Sequence, residues 1–189
     1  MRKKLGIVMD PIQSINYEKD TSLLILLAAK KAGFEIHLME QQDLFIDSST
    51  PKAFMSEIHV FNDSKKWFEI RSQQETALTE LDVILMRKDP PFDKEYIYST
   101  YILEAASKLG VLVVNDPKSL RDCNEKIFAT EFSDCTPPLL VSKNIPLLKK
   151  FLHLHQNVVY KPLDGMGGES IFQVNDQDKN INVILETLT

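Results

Sequence analysis

Leu81-Asp82-Val83-Ile84-Leu85-Met86, running directly into Arg87-Lys88-Asp89-Pro90-Pro91-Phe92-Asp93, decides how this chain folds. The first six residues are apolar except for Asp82, too continuous for a strand with one wet face, so they read as a strand buried on both sides. Asp93 can cap a helix that carries Tyr98, Ile102, Ala105 and Leu109 on one stripe, with Gly110 as its stop. Val111-Leu112-Val113-Val114 then forms another unbroken apolar strand ending at Asn115-Asp116-Pro117. Strand, helix and strand of this composition predict a parallel sheet covered on both faces.

The same pattern extends toward the N-terminus. Leu5-Gly6-Ile7-Val8-Met9 is a strand that stops at Asp10-Pro11. Thr21 or Ser22 can cap a helix through Lys31, closed by Gly33. Residues 34–38 form a further strand, with Glu35 and His37 on one face. Residues 43–81 are the least readable, with a short strand over 54–60 and a helical turn over 64–70. In open parallel sheets ligands bind beyond the carboxyl ends of the strands. Those ends are Asp10, Arg87 and Asn115.

After Cys123 the pattern changes. A helix over 125–132 leads to Pro137-Pro138 and a short strand over 139–141. Asn144 caps a helix with Leu147, Leu148, Phe151, Leu152 and His155 on one face. A strand over 158–160, a loop over 161–169, a strand over 170–174 and a helix over 178–188 complete an α-β-α-β-β-α unit. The expected domains are 1–123 and 124–189. No closing turn or tail follows the last helix, so the chain is expected to be cut short there.

Composition narrows the function classes. The 189 residues are 43% hydrophobic and 26% charged, which excludes a disordered or collagen-like chain. The net charge is −5 and neither half is basic, so no nucleic-acid partner is expected. The longest apolar run, 23–29, falls far short of the roughly 18 residues a membrane span needs. Cys123 and Cys135 are too few for a disulfide framework. These features predict a cytoplasmic protein with reduced thiols and no membrane association.

Three of the six glycines fall in Gly165-Met166-Gly167-Gly168. Glycine permits positive φ and close backbone approach, so successive N–H groups can turn toward one anion. Lys161, just before the loop at a strand end, can reach the same space as a point charge on a phosphate. A Walker A loop would need Lys-Ser/Thr and a helix behind its glycines, and a dinucleotide fingerprint a third, correctly spaced glycine. Here Glu169-Ser170-Ile171-Phe172 follows, which is strand-like. The arrangement is either a hairpin whose tip closes over a ligand or an ordinary glycine-rich turn.

Other candidates also have two readings. Arg87 could grip a carboxylate bidentately, and Asp89 could accept from an ammonium or hold Arg87. The alternative is a turn leading into the helix capped by Asp93, with Arg87 and Asp89 as a surface pair of little energetic value. Asp10-Pro11 is part of the same rim or a turn only. Lys126, in the first turn of its helix, opposes the helix dipole, which points to a task or to a solvated side chain. His153 and His155 point to different sides of one helix, His37 and His59 are isolated, and Trp67 with Phe68 reads as packing. Glu169, Asp176 and Asp178 are too scattered to form a metal cluster.

Together, Gly6-Ile7-Val8-Met9-Asp10-Pro11-Ile12, Leu85 through Asp93, Asn115 through Lys126 (NDPKSLRDCNEK) and Lys161-Pro162-Leu163-Asp164-Gly165-Met166-Gly167-Gly168 resemble the bacterial glutathione synthetases, ATP-grasp ligases, along the whole chain. The resemblance implies an α/β fold. An N-terminal open parallel, Rossmann-like (pre-ATP-grasp) sheet with helices on both faces would precede a small α+β ATP-grasp lid subdomain, the C-terminal ATP-grasp part being absent. It implies ligation of γ-glutamylcysteine and glycine through an acyl phosphate, with ATP and Mg2+ (or Mn2+), in a homo-oligomer. By resemblance ATP meets Lys126, Lys161, Asp164, Gly165, Met166, Gly167, Gly168 and Ser170, with Lys161 catalytic. Arg87, Asp89, Asp10 and Asn115 would serve the dipeptide. The metal ligands would lie in the absent part, leaving this piece inactive alone. A related ligase that adds glutamate to a peptide or protein end, and a non-catalytic nucleotide-binding module, are the alternatives.

Overall fold

Strand β1 (Lys4–Val8) is followed by α1 (Thr21–Lys31), β2 (Glu35–Met39), β3 (Leu44–Asp47), β4 (Thr50–Val60), β5 (Phe68–Ala77), β6 (Val83–Met86), α2 (Lys94–Lys108), β7 (Leu112–Val114) and α3 (Pro117–Asp122). The computed structural model describes residues 2–165 and 167–189. The chain divides into two units, Met1–Asp122 and Cys123–Thr189.

In the first unit β1 pairs in parallel with β2 and β6, and β6 in parallel with β7. Alternation along β1 builds a core on each face. Leu5 and Ile7 pack with Met9 and with Leu26 of α1. Val8 packs with Ile84 and Met86 of β6 and with Leu103 and Ala106 of α2. Helices therefore cover both faces, as the apolar strands require. A Cβ on Gly6 would come within 2.6 Å of Leu81 Cδ1 and 2.8 Å of Met39 Cε, which explains the glycine in a central strand.

Several expectations are corrected. Beyond β2 the sheet continues antiparallel through β4, flanked by β3 and β5, so it is mixed and not wholly parallel. The expected short strand at 54–60 is part of the longer β4, and 68–70 open β5 and do not continue a helical turn. Helix α1 is capped by Asp20, whose side chain accepts from the Leu23 N–H, and not by Thr21 or Ser22. Asp93 caps α2 as expected, but the buried stripe is Tyr96, Ser99, Thr100, Leu103 and Ala106. Tyr98 and Leu109 are exposed. Apolar residues occupy more than one face of this helix, so spacing alone did not select the buried one.

The second unit contains a 3-10 segment (Phe128–Cys135), α4 (Ile145–His155), β8 (Asn157–Tyr160), β9 (Phe172–Asn175) and α5 (Ile181–Leu188). Strands β8 and β9 form an antiparallel hairpin, with Val158 opposite Val174 and Tyr160 opposite Phe172. Leu148 and Leu152 of α4 and Ile184 and Leu185 of α5 cover it in one core. Asn144 caps α4 by accepting from the Leu147 N–H. The helix expected over 125–132 is instead a turn and the 3-10 segment, broken at Phe132, where φ is −120°. Residues 139–141 form no strand, and Ser170 lies in the loop at φ 54°, outside β9. Among the described residues no helix is long and apolar enough to cross a membrane.

Candidate functional site

In the first unit, the carboxyl ends of β1 and β6 bring Asp10, Arg87 and Asp89 together around a cavity of about 390 Å3. Segment 14–22 supplies the opposite wall, including Ser14, Lys19, Asp20, Thr21 and Ser22. Arg87 is held by hydroxyls: Nη2 donates to Thr21 Oγ1 at 2.8 Å and Nε to Ser22 Oγ at 3.3 Å. The expected Arg87–Asp89 pair does not form among the described residues. Asp10 takes that bridging role, accepting from Lys88 Nζ at 2.9 Å and from the Asp89 N–H at 3.0 Å. Asp10 is therefore more than a turn residue: it ties the end of β1 to the loop after β6.

A second cavity of about 340 Å3 adjoins Asp10 and is lined by Glu40, Lys88 and Glu95. Burial, with the nearby Asp43 and Asp10 carboxylates, pushes the Glu40 carboxyl above its ordinary value. Asn115, at the end of β7, is exposed and lines neither cavity. Sequence reasoning missed Thr21 and Ser22 as supports for Arg87, because hydroxyls at a helix start read first as caps. Lys88 was overlooked beside a more conspicuous arginine.

In the second unit, Lys126 and Lys161 line one cavity of about 560 Å3. Its other walls are mostly apolar: residues 137–140, Phe151, Val158 and Tyr160. Tyr160 donates its hydroxyl to the Leu148 carbonyl at 2.8 Å, and burial pushes its phenol upward. Lys161 is placed at the rim by the end of β8 and is exposed. Lys126 is only 15% exposed in its side chain. Its ammonium donates to the carbonyls of Gly165 at 2.8 Å and Leu163 at 3.2 Å, and to Glu125 Oε1 at 2.7 Å. Asn124 Nδ2 also donates to the Leu163 carbonyl, at 3.1 Å. The misfit of a lysine at a helix start is thus resolved: no regular helix begins there, and its charge meets loop carbonyls.

Asp164, Gly165, Gly167, Gly168 and Ser170 lie in the β8–β9 loop and do not line that cavity. Met166 lies outside the described residues. Gly167 and Gly168 take φ of 65° and 86°, the left-handed region that favours glycine. The arrangement places two lysines at one largely apolar cavity, with a glycine-rich loop strapped to one of them. Among the described residues no group of three or more His, Cys, Asp or Glu could hold a metal ion.

Comparison with known proteins finds relatives along the whole chain. Residues 3–121 match the family described as prokaryotic glutathione synthetase, N-terminal domain, and residues 125–189 match prokaryotic glutathione synthetase, ATP-grasp domain. Glutathione synthetase of Pseudomonas aeruginosa is 55% identical over 189 residues, all of this chain and 60% of that protein. The Salmonella typhi protein of the same name is 54% identical over 186 residues, 98% of this chain and 59% of its own length. The chain thus spans about 60% of the length of the curated relatives it matches.

Among solved structures, a D-cycloserine synthetase aligns with a TM-score of 0.59 at 11% identity, over 97% of this chain and 53% of that one. D-alanyl-alanine synthetase A of Vibrio cholerae aligns at 0.55 and 13% identity, over 98% and 55%. These two likenesses bear on the fold alone. The two domain matches and the identity along the entire chain establish that it belongs to the prokaryotic glutathione synthetase family.

Proposed function

We propose that the full-length protein joins γ-glutamylcysteine to glycine, consuming ATP and giving glutathione, ADP and phosphate. The observation that carries this reading is the convergence of Lys126 and Lys161 on one largely apolar cavity beside a glycine-rich loop. The cysteinyl carboxylate attacks the γ-phosphorus of ATP and ADP leaves, forming an acyl phosphate. The glycine amine then displaces phosphate. The enzyme has two tasks: to neutralise the transferring phosphoryl oxygens and to keep water from the acyl phosphate. Lys161, as the catalytic residue, supplies positive charge to the phosphate chain, and Lys126 supplies a second cation. The loop of Asp164, Gly165, Met166, Gly167, Gly168 and Ser170 covers that chain.

The cavity of the first unit takes the dipeptide. Arg87, its guanidinium oriented by Thr21 and Ser22, grips a carboxylate. Asp10 and Asp89 face the dipeptide's ammonium, while Asn115, outside that cavity, could meet the dipeptide only at the exposed end of β7. Residues 1–123 act as the substrate domain and 124–189 as the lid portion of the ATP-grasp. Mg2+ or Mn2+ accompanies ATP. The protein works in the cytoplasm as a homo-oligomer, without nucleic acid or membrane. In the full-length protein ADP release should require both γ-glutamylcysteine and glycine. Equal ATP turnover with unrelated acids would overturn the assignment.

A further inference from the structure

We infer that Trp67, which lines neither cavity described in the first unit, is a positioning residue that shapes the dipeptide pocket there through its hydrogen bond to the Ile12 carbonyl. The inference rests on reading that cavity as the dipeptide site. Segment 11–20 joins β1 to α1 without helix or strand, yet it supplies Ser14, Ile15, Asn16, Lys19 and Asp20 to the cavity wall. Its internal support is a few turn bonds, such as Ser14 N–H to the Pro11 carbonyl at 2.9 Å and Asp20 N–H to the Asn16 carbonyl at 2.9 Å.

The external support comes from the turn that joins β4 to β5. The Trp67 indole N–H donates to the Ile12 carbonyl at 2.9 Å, and the Tyr17 hydroxyl donates to Asn62 Oδ1 at 2.9 Å. The Tyr17 and Trp67 rings lie 6.2 Å apart. Ile12 is 1% exposed, so its residue cannot drift toward water without uncovering apolar surface. The turn is itself fixed to α1. Lys30 Nζ donates to the Val60 carbonyl at 2.6 Å and sits 4.6 Å from the Phe61 ring centroid. The Phe61 N–H closes the turn onto the Trp67 carbonyl at 2.8 Å. The β4–β5 ribbon thus acts as a brace: α1 fixes the turn, and the turn fixes the loop that faces the ligand. Besides its turn bonds and the buried Ile12, these two side-chain bonds tie this wall to the ribbon.

The test is steady-state kinetics on Trp67→Phe and Tyr17→Phe in the full-length protein, with Arg87→Ala beside them. Tyr17→Phe keeps its ring and loses one donor, while Trp67→Phe loses its donor and puts a smaller ring in place of the indole. Either should raise the KM for γ-glutamylcysteine about three- to tenfold, the scale of one lost hydrogen bond, with little change in kcat or in the KM for ATP. If Trp67→Phe does not fold, Tyr17→Phe decides alone. An unchanged dipeptide KM in the folded variants overturns the inference, and so does an equal rise in the KM for ATP, which marks general loosening. Arg87→Ala separates the layers. If it raises the dipeptide KM while Trp67→Phe does not, the positioning role alone fails. If Arg87→Ala leaves that KM unchanged, the pocket assignment fails and the inference with it.

Discussion

The Lys126 ammonium donates to two carbonyls of the glycine loop, whereas Lys161 stands exposed at the cavity rim. The two lysines therefore begin from different states, and their removal should read differently. Lys161→Ala in the full-length protein should lower kcat by about 10²- to 10³-fold, or about 3–4 kcal/mol, the cost of one lost contact to developing charge. Unchanged turnover would remove Lys161 from the chemistry. Gly168 tests the loop's backbone. It sits at φ 86° with open space where a Cβ would go, so Gly168→Ala meets strain and no clash. A loss of about 1–2 kcal/mol is expected from that strain, read as a lower denaturation midpoint. The concentration of glycines and the nearby lysine were legible from sequence. The strap from Lys126 was not, because a contact spanning 39 positions leaves no local signal.

At the scale of elements, Glu104 joins α2 to α3. It pairs with Lys108 at 2.7 Å and with Arg121, whose guanidinium also bonds Thr100 Oγ1 at 3.0 Å and lies over the Tyr101 ring. The bonds from Lys108 and then Arg121 hold the Glu104 carboxyl below its ordinary value of 4.5. Because the folded value is the depressed one, this stabilisation is complete above the ordinary value and is lost as pH falls through the lower folded value. Glu104→Gln should therefore flatten the acid side of the stability profile. Denaturation midpoints measured from neutral pH downward would show it, and an unchanged acid slope would contradict the pairing. In the second unit, Leu152 is 1% exposed between α4 and the β8–β9 hairpin, and Leu152→Ala should cost about 2–5 kcal/mol. Strands β1, β6 and β7 were legible because they are unbroken apolar runs bounded by Asp-Pro, Arg and Asn. The β4–β5 ribbon was not. Most of β5, Phe68–Ala77, is exposed on both faces, so burial imposes no alternation on it. The 139–141 run forms no strand; Leu139 and Leu140 line the cavity instead, and a pocket wall and a strand demand the same residue types.

For the whole molecule, the proposed function assigns the acid substrate to the Arg87 cavity of the first unit and ATP to the Lys126–Lys161 cavity of the second. Arg87→Ala should then raise the KM for γ-glutamylcysteine and leave the KM for ATP nearly unchanged, and a parallel rise in both would contradict the division. A change of pattern after Cys123 was legible in the sequence. What the sequence could not show was which side chains meet, since Thr21, Ser22 and Asp10 reach the residues after β6 only through the folded sheet. The most direct test is a crystal structure of the full-length protein with a non-hydrolysable ATP analogue. The account predicts the analogue in the cavity lined by Lys126 and Lys161, with the Lys161 ammonium about 3 Å from a phosphate oxygen. An analogue bound elsewhere, with both amines far from every phosphorus, would contradict it.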